Sequence, residues 1–169
     1  MGRFGDLFKC WKIVMAKEIE RRFLVDSTYF YNYIDNNKLL DIFLIEQTYF
    51  DNPQFRVRRK TSIYKQNDTK YYITVKKGKG LVRDEFEQRI DNNIGLYLLE
   101  SQKTICKERY ATLDGWEIDH FINPMLSNLW IAEYELDTEN EEIILPNYID
   151  EEITGKEKYS NYELWKKIN

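Results

Sequence analysis

The chain of 169 residues contains only two cysteines, one histidine and three prolines. Cys10 and Cys106 form neither a disulfide framework nor a C-x-x-C metal motif, which predicts a reducing, cytoplasmic location. The single histidine, His120, excludes a histidine-rich zinc site and disfavours a serine–histidine or cysteine–histidine nucleophile, because only one position could serve as the base. A metal ion bound by this chain would therefore need oxygen ligands.

Long apolar runs and an excess of charge of one sign are also missing from the sequence. No run approaches the roughly 18 apolar residues of a membrane span, so we expect a soluble protein that does not bind a membrane. The formal charge of −4 argues against general nucleic-acid binding. Residues 1–14 do not contain the uninterrupted apolar core of a signal peptide and are interpreted as an N-terminal extension, followed by one folded domain over residues 15–169.

Apolar and polar residues alternate with a period of two from Lys17 onward, which is typical of β-strands. Short turn-type connections such as Leu113-Asp114-Gly115 predict antiparallel hairpins between neighbouring strands. Eight strands are predicted: Lys17–Val25, Ile42–Phe50, Gln54–Lys60, Lys70–Lys77, Val82–Ile90, Gln102–Tyr110, Gly115–Phe121 and Leu129–Leu136. Four short helices are predicted: Ser27–Asn36, Ile94–Glu100, Thr138–Ile144 and Asn161–Ile168. The predicted fold class is therefore mainly β, within the α+β class.

Charged residues gather on one face of seven of the eight predicted strands, opposite a largely apolar face. Glu18 and Glu20 flank Ile19, for example, and Arg56 and Arg58 flank an apolar residue in the same way. An open sheet with one wet face would also show this alternation. A wet face usually mixes Thr, Ser, Lys and Gln, whereas Arg and Glu dominate here. This composition favours an eight-stranded antiparallel β-barrel with the charges inside and short helices packed outside.

A charged interior of this kind needs bound counter-charges. Like charges about 4 Å apart repel by roughly 4 kcal/mol at an effective dielectric near 20, so clustered carboxylates favour a hard divalent cation, Mg²⁺ or Mn²⁺. The carboxylates concerned are Glu18, Glu20, Glu133 and Glu135. Cationic side chains on the same face favour a polyanion such as a phosphate chain. These cations are Arg56, Arg58, Lys76, Lys107 and Arg109. The residues thus predict metal-assisted chemistry on a phosphate chain.

The segment Glu18-Ile19-Glu20-Arg21-Arg22 resembles the E-x-E-x-K signature of the CYTH superfamily, the triphosphate tunnel metalloenzymes. Six further segments resemble the other motifs of that family, in the family's order: Phe55–Arg58, Ile73–Lys76, Arg83–Glu87, Lys107–Tyr110, Glu117–Phe121 and Ala132–Leu136. The resemblance covers residues 17–169. It implies an eight-stranded antiparallel tunnel that holds a triphosphate along its axis, with one or two divalent metal ions at the acidic end.

The resemblance also implies roles for individual residues. Glu18, Glu133 and Glu135 resemble the primary metal ligands, and Glu20 resembles the residue that helps to hold a second metal ion or the attacking water. The implied phosphate clamp consists of Arg22, Arg56, Arg58, Lys76, Arg83, Lys107 and Arg109. We expect other carboxylates of the same face to hold the clamp arginines in place rather than to bind metal: Glu85, Glu87, Glu117 and Asp119.

Two positions depart from the family pattern. Lys158 stands where the family's late motif usually carries an arginine, and it is included among the expected substrate ligands. Arg22 stands at the family's usual lysine, and a guanidinium cannot easily give up a proton. If that lysine donates a proton to the leaving group in the family, Lys76 is the expected substitute here. The catalytic residues predicted for this chain are accordingly Glu20, Lys76 and Arg22.

The leading functional hypothesis is a metal-dependent triphosphatase, similar to the short bacterial branch of the family, with inorganic triphosphate as the first substrate to test. One alternative is a class IV-like adenylate cyclase, which would convert ATP to cyclic AMP with the same clamp and metal ions. Another is a non-catalytic module that binds a triphosphate without turnover. The expected partner is a small-molecule triphosphate, and the sequence leaves open whether the protein forms a homodimer.

Overall fold

The computed structural model of the protein describes residues 15–34, 38–65, 68–78 and 80–168. The predicted N-terminal extension, residues 1–14, lies outside the described residues. The last two residues of the predicted helix Ser27–Asn36 also lie outside them. Within the described residues, no helix is both long enough and apolar enough to cross a membrane.

Nine strands and three α-helices make up the described part of the chain. The strands are β1 (Ala16–Val25), β2 (Leu39–Tyr49), β3 (Phe55–Ser62), β4 (Thr69–Lys77), β5 (Val82–Ile90), β6 (Ile105–Thr112), β7 (Glu117–Phe121), β8 (Trp130–Glu135) and β9 (Ile149–Glu152). The helices are α1 (Ser27–Ile34), α2 (Asn92–Glu100) and α3 (Asn161–Lys167), with 3₁₀ turns at Pro124–Leu126 and Glu157–Tyr159.

Strands β1 to β8 form a closed antiparallel barrel. The order of hydrogen-bonded neighbours is β5-β4-β3-β2-β6-β7-β8-β1, and β1 also pairs with β5, which closes the ring. The first half of β1 pairs with β5, whereas Phe23 and Val25 near its end pair with β9. The predicted eight-stranded barrel is therefore confirmed, with β9 as an additional strand beside the end of β1.

An aromatic cluster covers the outside of β1, β6, β7 and β8. Helix α1 contributes Phe30, which has no exposed surface and packs edge-on against Tyr110 and Tyr148. Asp26 caps this helix, because its carboxylate accepts hydrogen bonds from the backbone N–H groups of residues 28 and 29. Burying a side chain of this size contributes roughly 1.5–3 kcal/mol. This layer fixes the strands whose inner faces carry the predicted metal ligands.

Helix α3 closes one end of the barrel. Ser160 caps it by accepting a hydrogen bond from the backbone N–H of Glu163 at 3.2 Å, as its sequence position suggests. Leu164 and Trp165 are buried against Tyr49 and Ile131 in a second apolar cluster. The indole N–H of Trp165 donates to the backbone carbonyl of Lys103 at 2.7 Å. An apolar cluster thus fills this end of the barrel.

Helix α2 lies against the outer face of β3 and β4, where a glycine permits the close approach. A Cβ atom at Gly95 would lie 2.4 Å from the side chain of Tyr71, a distance at which one of the two would have to move. Asp91 caps α2 by accepting hydrogen bonds from two backbone N–H groups at its start.

The predicted helix over Thr138–Ile144 is wrong. Residues 139 and 140 lie in a turn, closed by a hydrogen bond from the Glu141 N–H to the Thr138 carbonyl at 3.2 Å, and residues 141–146 have no regular structure. The carboxylate of Glu141 accepts a hydrogen bond from the Asp137 N–H, a local bond that stabilises the turn rather than a helix. The sequence also gave no signal for the short strand β9, which has only four residues, three of them acidic.

Candidate active site in the barrel interior

The barrel encloses a cavity of about 660 Å³ that is lined mainly by charged side chains. Ten of the residues predicted from the sequence line it: Glu18, Glu20, Arg22, Arg56, Arg58, Lys76, Arg83, Arg109, Glu133 and Glu135. Two predicted residues, Lys107 and Lys158, are not among its lining residues. Because side chains alternate along a strand, the charged face of the sequence pattern is the inner face of the barrel.

Glu18 and Glu20 lie where β1 meets β5. The ammonium group of Lys76 donates to both carboxylate oxygens of Glu18 at 2.8 Å and also lies 2.6 Å from Glu85. Arg83 lies directly opposite Glu18 in the strand register, and its guanidinium contacts Glu18 at 3.1 Å and Glu20 at 2.9 Å. Carboxylates and cations therefore alternate across this junction.

Glu133 lies deeper in the wall and is bound by two arginines. The Nε of Arg22 donates to it at 3.1 Å, and Arg109 donates to its other oxygen. Burial alone would raise the pKa of Glu133, but the positive charges of Arg109, Lys107 and Arg22 outweigh burial and hold this pKa well below its ordinary value. We therefore expect Glu133 to be ionised at neutral pH.

The pKa values of Glu20 and Glu135 are raised, in contrast to that of Glu133. Burial, reinforced by the neighbouring charge of Glu133, raises the pKa of Glu20 from 4.5 to about 7. Burial and then the charge of Glu18 raise the pKa of Glu135. A cation bound beside either carboxylate would favour its ionised form.

Arginines of β3 and β5 line the cavity and carry buried donors that have no partner in the described structure. Arg58 donates to both oxygens of Glu87 at 2.8–2.9 Å, and Thr74 donates to the same carboxylate at 2.7 Å. The Nε atoms of Arg56, Arg58 and Arg83 are nevertheless buried without a hydrogen-bond partner in the described structure, as is one terminal nitrogen of Arg22. Buried hydrogen-bond donors ordinarily have an acceptor. A bound anion would supply acceptor oxygens for these nitrogens.

Lys107 lies behind the cavity surface. It is 1% exposed and donates to Asp119, which has no exposed surface. Asp119 also accepts two hydrogen bonds from Arg109, at 2.6 and 2.7 Å. Burial lowers the pKa of Lys107 to about 8, although the charge of Asp119 opposes this shift. The pairing of Asp119 with the two cations matches its expected role as their holder.

Lys158 is not brought to the cavity. It is exposed in the 3₁₀ turn before α3, and its ammonium lies 4.7 Å from the centre of the Tyr159 ring. The same stretch of chain reaches the cavity through other residues, for which the sequence predicted no role in binding: Thr154, Gly155, Lys156, Glu157, Ser160, Asn161, Tyr162 and Glu163. A side chain in a tight turn has no period of two to indicate its direction, which explains the difference.

Tyr49 is another lining residue that sequence reasoning missed. It lies at the end of β2, is 4% exposed, and accepts a hydrogen bond from the Gln47 side chain at 3.2 Å. Burial raises its pKa, although the neighbouring Arg56 opposes the shift. The signal was its inward parity in β2, but the inward residues that precede it, Phe43, Ile45 and Gln47, carry no charge, and the search for charges passed over it.

The donor set suits a hard divalent cation. Within the described residues, no three acidic, histidine or cysteine side chains already surround one point as a metal site. The lining carboxylates nevertheless supply only oxygen, the ligand atom that Mg²⁺ and Mn²⁺ prefer. Burial is the main cause of the raised pKa values of Glu20 and Glu135, and a bound cation would favour the ionised form of both groups. By its chemistry, the acidic end of the cavity therefore fits a divalent metal ion.

Comparison with known proteins gives a consistent result. No protein-family model matches the chain. Over 160 residues, the chain is 34% identical to the inorganic triphosphatase of Acetivibrio thermocellus, a match that covers 90% of this chain and 95% of that protein. The crystal structure of the inorganic triphosphatase NE1496 is similar with a TM-score of 0.52 and 26% identity, over 85% of this chain and 94% of the other.

The fold is also shared with a more distant protein. The structure of the PH1819 protein from Pyrococcus horikoshii is similar with a TM-score of 0.53 and 19% identity, over 73% of this chain and 80% of that one. At this level of identity the likeness concerns the fold alone.

Proposed function

The chain belongs to the CYTH superfamily of triphosphate tunnel enzymes, and from this premise we propose that it hydrolyses inorganic triphosphate in the barrel cavity with the help of Mg²⁺ or Mn²⁺. That it is a triphosphatase follows from its identity with a relative of that activity over nearly the whole length of both chains. The family generally uses divalent metal ions. The choice of inorganic triphosphate, the metal ion and the roles of the residues belong to the proposal.

The unused arginine donors are the observation that supports the proposal most. A linear triphosphate has oxygens along its whole length, and donors on opposite walls of one cavity can bind several of them at once. Arg56, Arg58 and Arg83 each keep a buried Nε without a partner in the described structure, and Arg22 of β1 keeps a buried terminal nitrogen without one. We therefore assign substrate binding to these four arginines, together with Arg109 and Lys76 from the cavity lining.

Glu18, Glu20, Glu133 and Glu135 are the residues proposed to hold the metal. A bound divalent ion would supply positive charge to the phosphoryl oxygens and lower the pKa of a coordinated water. Glu20, which lines the acidic end of the cavity, is proposed to help hold the attacking water.

Lys76 is the proposed proton donor to the leaving diphosphate. Its ammonium lies between Glu18 and Glu85 at the cavity wall, at 2.8 and 2.6 Å. In the reaction, the water oxygen bonds to the terminal phosphorus, the phosphoanhydride bond breaks, and diphosphate leaves with the bonding electron pair. The arginines stabilise the charge that develops on the leaving group. Lys107, which is buried behind the wall, is proposed to hold Asp119, which in turn binds Arg109, rather than to touch the substrate.

A phosphate-release assay tests the proposal. The purified chain is incubated with inorganic triphosphate, thiamine triphosphate, ATP or pyrophosphate, each with Mg²⁺, with Mn²⁺ or with a chelator. We expect the fastest release from inorganic triphosphate, and none in the chelator. Cyclic AMP from ATP would support a cyclase instead, and metal-dependent binding without release would support a binding module.

Two neighbouring arginines of β3 provide a matched control for this assay. Arg58 faces the cavity, whereas Arg59 faces outward and pairs with Glu46. We expect Arg58→Ala to reduce release strongly and Arg59→Ala to leave it near the wild-type rate. Equal effects of the two substitutions would contradict the proposed site. Cytoplasmic location stays a prediction from the sequence.

A further inference from the structure

Arg22 connects the carboxylate cluster to the C-terminal segment, which we define as residues 153–163. Its Nε donates to Glu133 at 3.1 Å and lies 3.6 Å from Glu20. A second nitrogen of the same guanidinium donates to the backbone carbonyl of Tyr159 at 3.2 Å. One rigid planar group therefore contacts two proposed metal ligands and the chain just before α3.

The main chain of Arg22 holds the same segment. Its N–H donates to the hydroxyl of Thr154 at 3.0 Å, and its carbonyl accepts the N–H of Ile153 at 2.8 Å. Side-chain and main-chain bonds of one residue thus reach both ends of a short loop. The residues of this loop line the cavity beside the phosphate-binding arginines.

The remaining terminal nitrogen of Arg22 is buried without a hydrogen-bond partner in the described structure. Arg22 is 8% exposed, so water does not easily satisfy this donor. A phosphate oxygen in the cavity could accept from it while the other two nitrogens keep their present bonds. Substrate contact and attachment of the segment would then involve the same guanidinium.

We propose that Arg22 is a positioning residue that fastens the C-terminal segment over the cavity, so that the segment's lining residues are correctly placed when a phosphate chain binds. The link to substrate rests on the proposed function, whereas the fastening itself does not. A lysine at this position would keep one positive charge near Glu133. Its single ammonium has no planar fork with which to reach Glu133, the Tyr159 carbonyl and a phosphate oxygen in fixed directions.

Amide hydrogen exchange of the full-length chain tests the fastening directly. The N–H groups of Lys156, Tyr159 and Ser160 all donate to backbone carbonyls within the segment, so their exchange reports whether it is held. In Arg22→Lys we expect these amides to exchange about tenfold faster, as for the loss of one hydrogen bond to a charged group. Unchanged exchange would overturn the proposal.

Arg83→Lys is the matched control for this measurement. Arg83 donates to Glu20, as a neighbour of the same cluster, but its ion pairs are with Glu18 and Glu20 rather than with the segment. We expect no change in the exchange of the three amides in this variant. An equal increase would mean that any disturbance of the carboxylates loosens the segment, which would also overturn the proposal.

A second variant keeps the test decisive if Arg22→Lys does not fold. Thr154→Val removes the hydroxyl that binds the main chain of Arg22 but leaves the guanidinium in place. We expect a smaller increase in exchange at the same three amides. No increase in this variant would contradict the main-chain part of the fastening.

Steady-state kinetics separates positioning from chemistry. For inorganic triphosphate, we expect Arg22→Lys to raise KM about tenfold and to change kcat less than about threefold, because an arginine that positions a binding segment acts mainly on binding. A large fall in kcat with unchanged KM would contradict a positioning role. If the wild-type chain releases no phosphate from any triphosphate, the proposed function fails, while the exchange measurement still decides the fastening.

Discussion

Two walls of the barrel carry similar charges in different surroundings. The paired wall, formed by β1, β6, β7 and β8, has an aromatic layer behind it, and its central ions are almost fully buried: Lys107 is 1% exposed and Asp119 has no exposed surface. The open wall, formed by β3, β4 and β5, is covered by α2 on part of its outer face. Its central carboxylate, Glu87, keeps 28% of its side chain exposed.

The two walls differ in how many of their charged groups are already paired within the protein, and this difference indicates which wall maintains the site and which wall binds. In the paired wall, Asp119 and Glu133 are each bound by two cations, so their positions are fixed before any ligand arrives. In the open wall, Arg56, Arg58 and Arg83 each keep a buried Nε donor without a partner in the described structure, whereas in the paired wall only one arginine of the described residues, Arg22, keeps such a nitrogen. We infer that the paired wall maintains the shape of the site and that the open wall does most of the adaptable binding.

The largest effect should come from breaking the ion cluster of the paired wall. Asp119→Asn would leave Lys107 and Arg109 without their shared carboxylate in a buried place, and should destabilise the protein by about 3–5 kcal/mol. Glu87→Gln, the matching change in the open wall, should cost less than about 1 kcal/mol because water reaches that pair. Urea unfolding measures both, and equal losses would remove the distinction between the walls.

The next largest effect is expected for Glu133, a proposed metal ligand in the paired wall. Glu133→Gln keeps the shape of the side chain but removes its charge, and we expect it to lower metal-dependent phosphate release by about 10²- to 10³-fold. Glu108→Gln on the outer face of β6, where Glu108 contacts His120 and Tyr110, is the control and should retain activity. Full activity of Glu133→Gln would refute its role.

The open wall should show its effect in binding rather than in stability. Arg56→Ala removes a donor to the phosphate chain, which is worth about 1.5–3 kcal/mol for a charge-assisted bond, or roughly a 10- to 100-fold rise in KM. Arg21→Ala removes an outward-facing arginine that pairs with Glu152 and should leave KM unchanged. An unaltered KM for Arg56→Ala would count against binding by this wall.

The smallest effect concerns the pH dependence of stability without metal. Because the folded protein raises the pKa of Glu20 from 4.5 to about 7, Glu20 takes up a proton on folding between these values. Its contribution is therefore fully present below about pH 4.5 and is lost as the pH rises through about 7. In a chelator, the Tm of the wild type should fall by a few degrees more than that of Glu20→Gln between pH 5 and pH 7.5. Parallel curves would show that burial does not perturb Glu20.

The strand pattern predicted most of this site because the period of two is a direct consequence of backbone geometry. Glu18, Arg58 and Glu133 could be placed on one inner face from parity alone, and the structure brings them to one cavity. His120 has the opposite parity and indeed lies outside, stacked on Trp130 with 4.1 Å between ring centres.

The other features of the site depend on local contacts that the alternation of side chains along a strand does not indicate. Parity places Lys107 on the inner face but cannot indicate that Asp119 holds it behind the cavity surface. The direction of the Lys158 side chain depends on the 3₁₀ turn in which it lies. The helix predicted over Thr138–Ile144 does not form, because a local hydrogen bond to the Glu141 side chain stabilises a turn there. The proposed role of Arg22 depends on its hydrogen bond to the backbone carbonyl of Tyr159. The amino-acid sequence does not indicate a contact with a main-chain group.

The most direct test of the account is a crystal structure of the protein with a non-hydrolysable imidotriphosphate and Mn²⁺. We expect phosphate density inside the barrel, within hydrogen-bond distance of the Nε atoms of Arg56 and Arg58. We also expect an anomalous manganese peak among four carboxylates: Glu18, Glu20, Glu133 and Glu135. An empty barrel, or phosphate density confined to the outer surface, would contradict it.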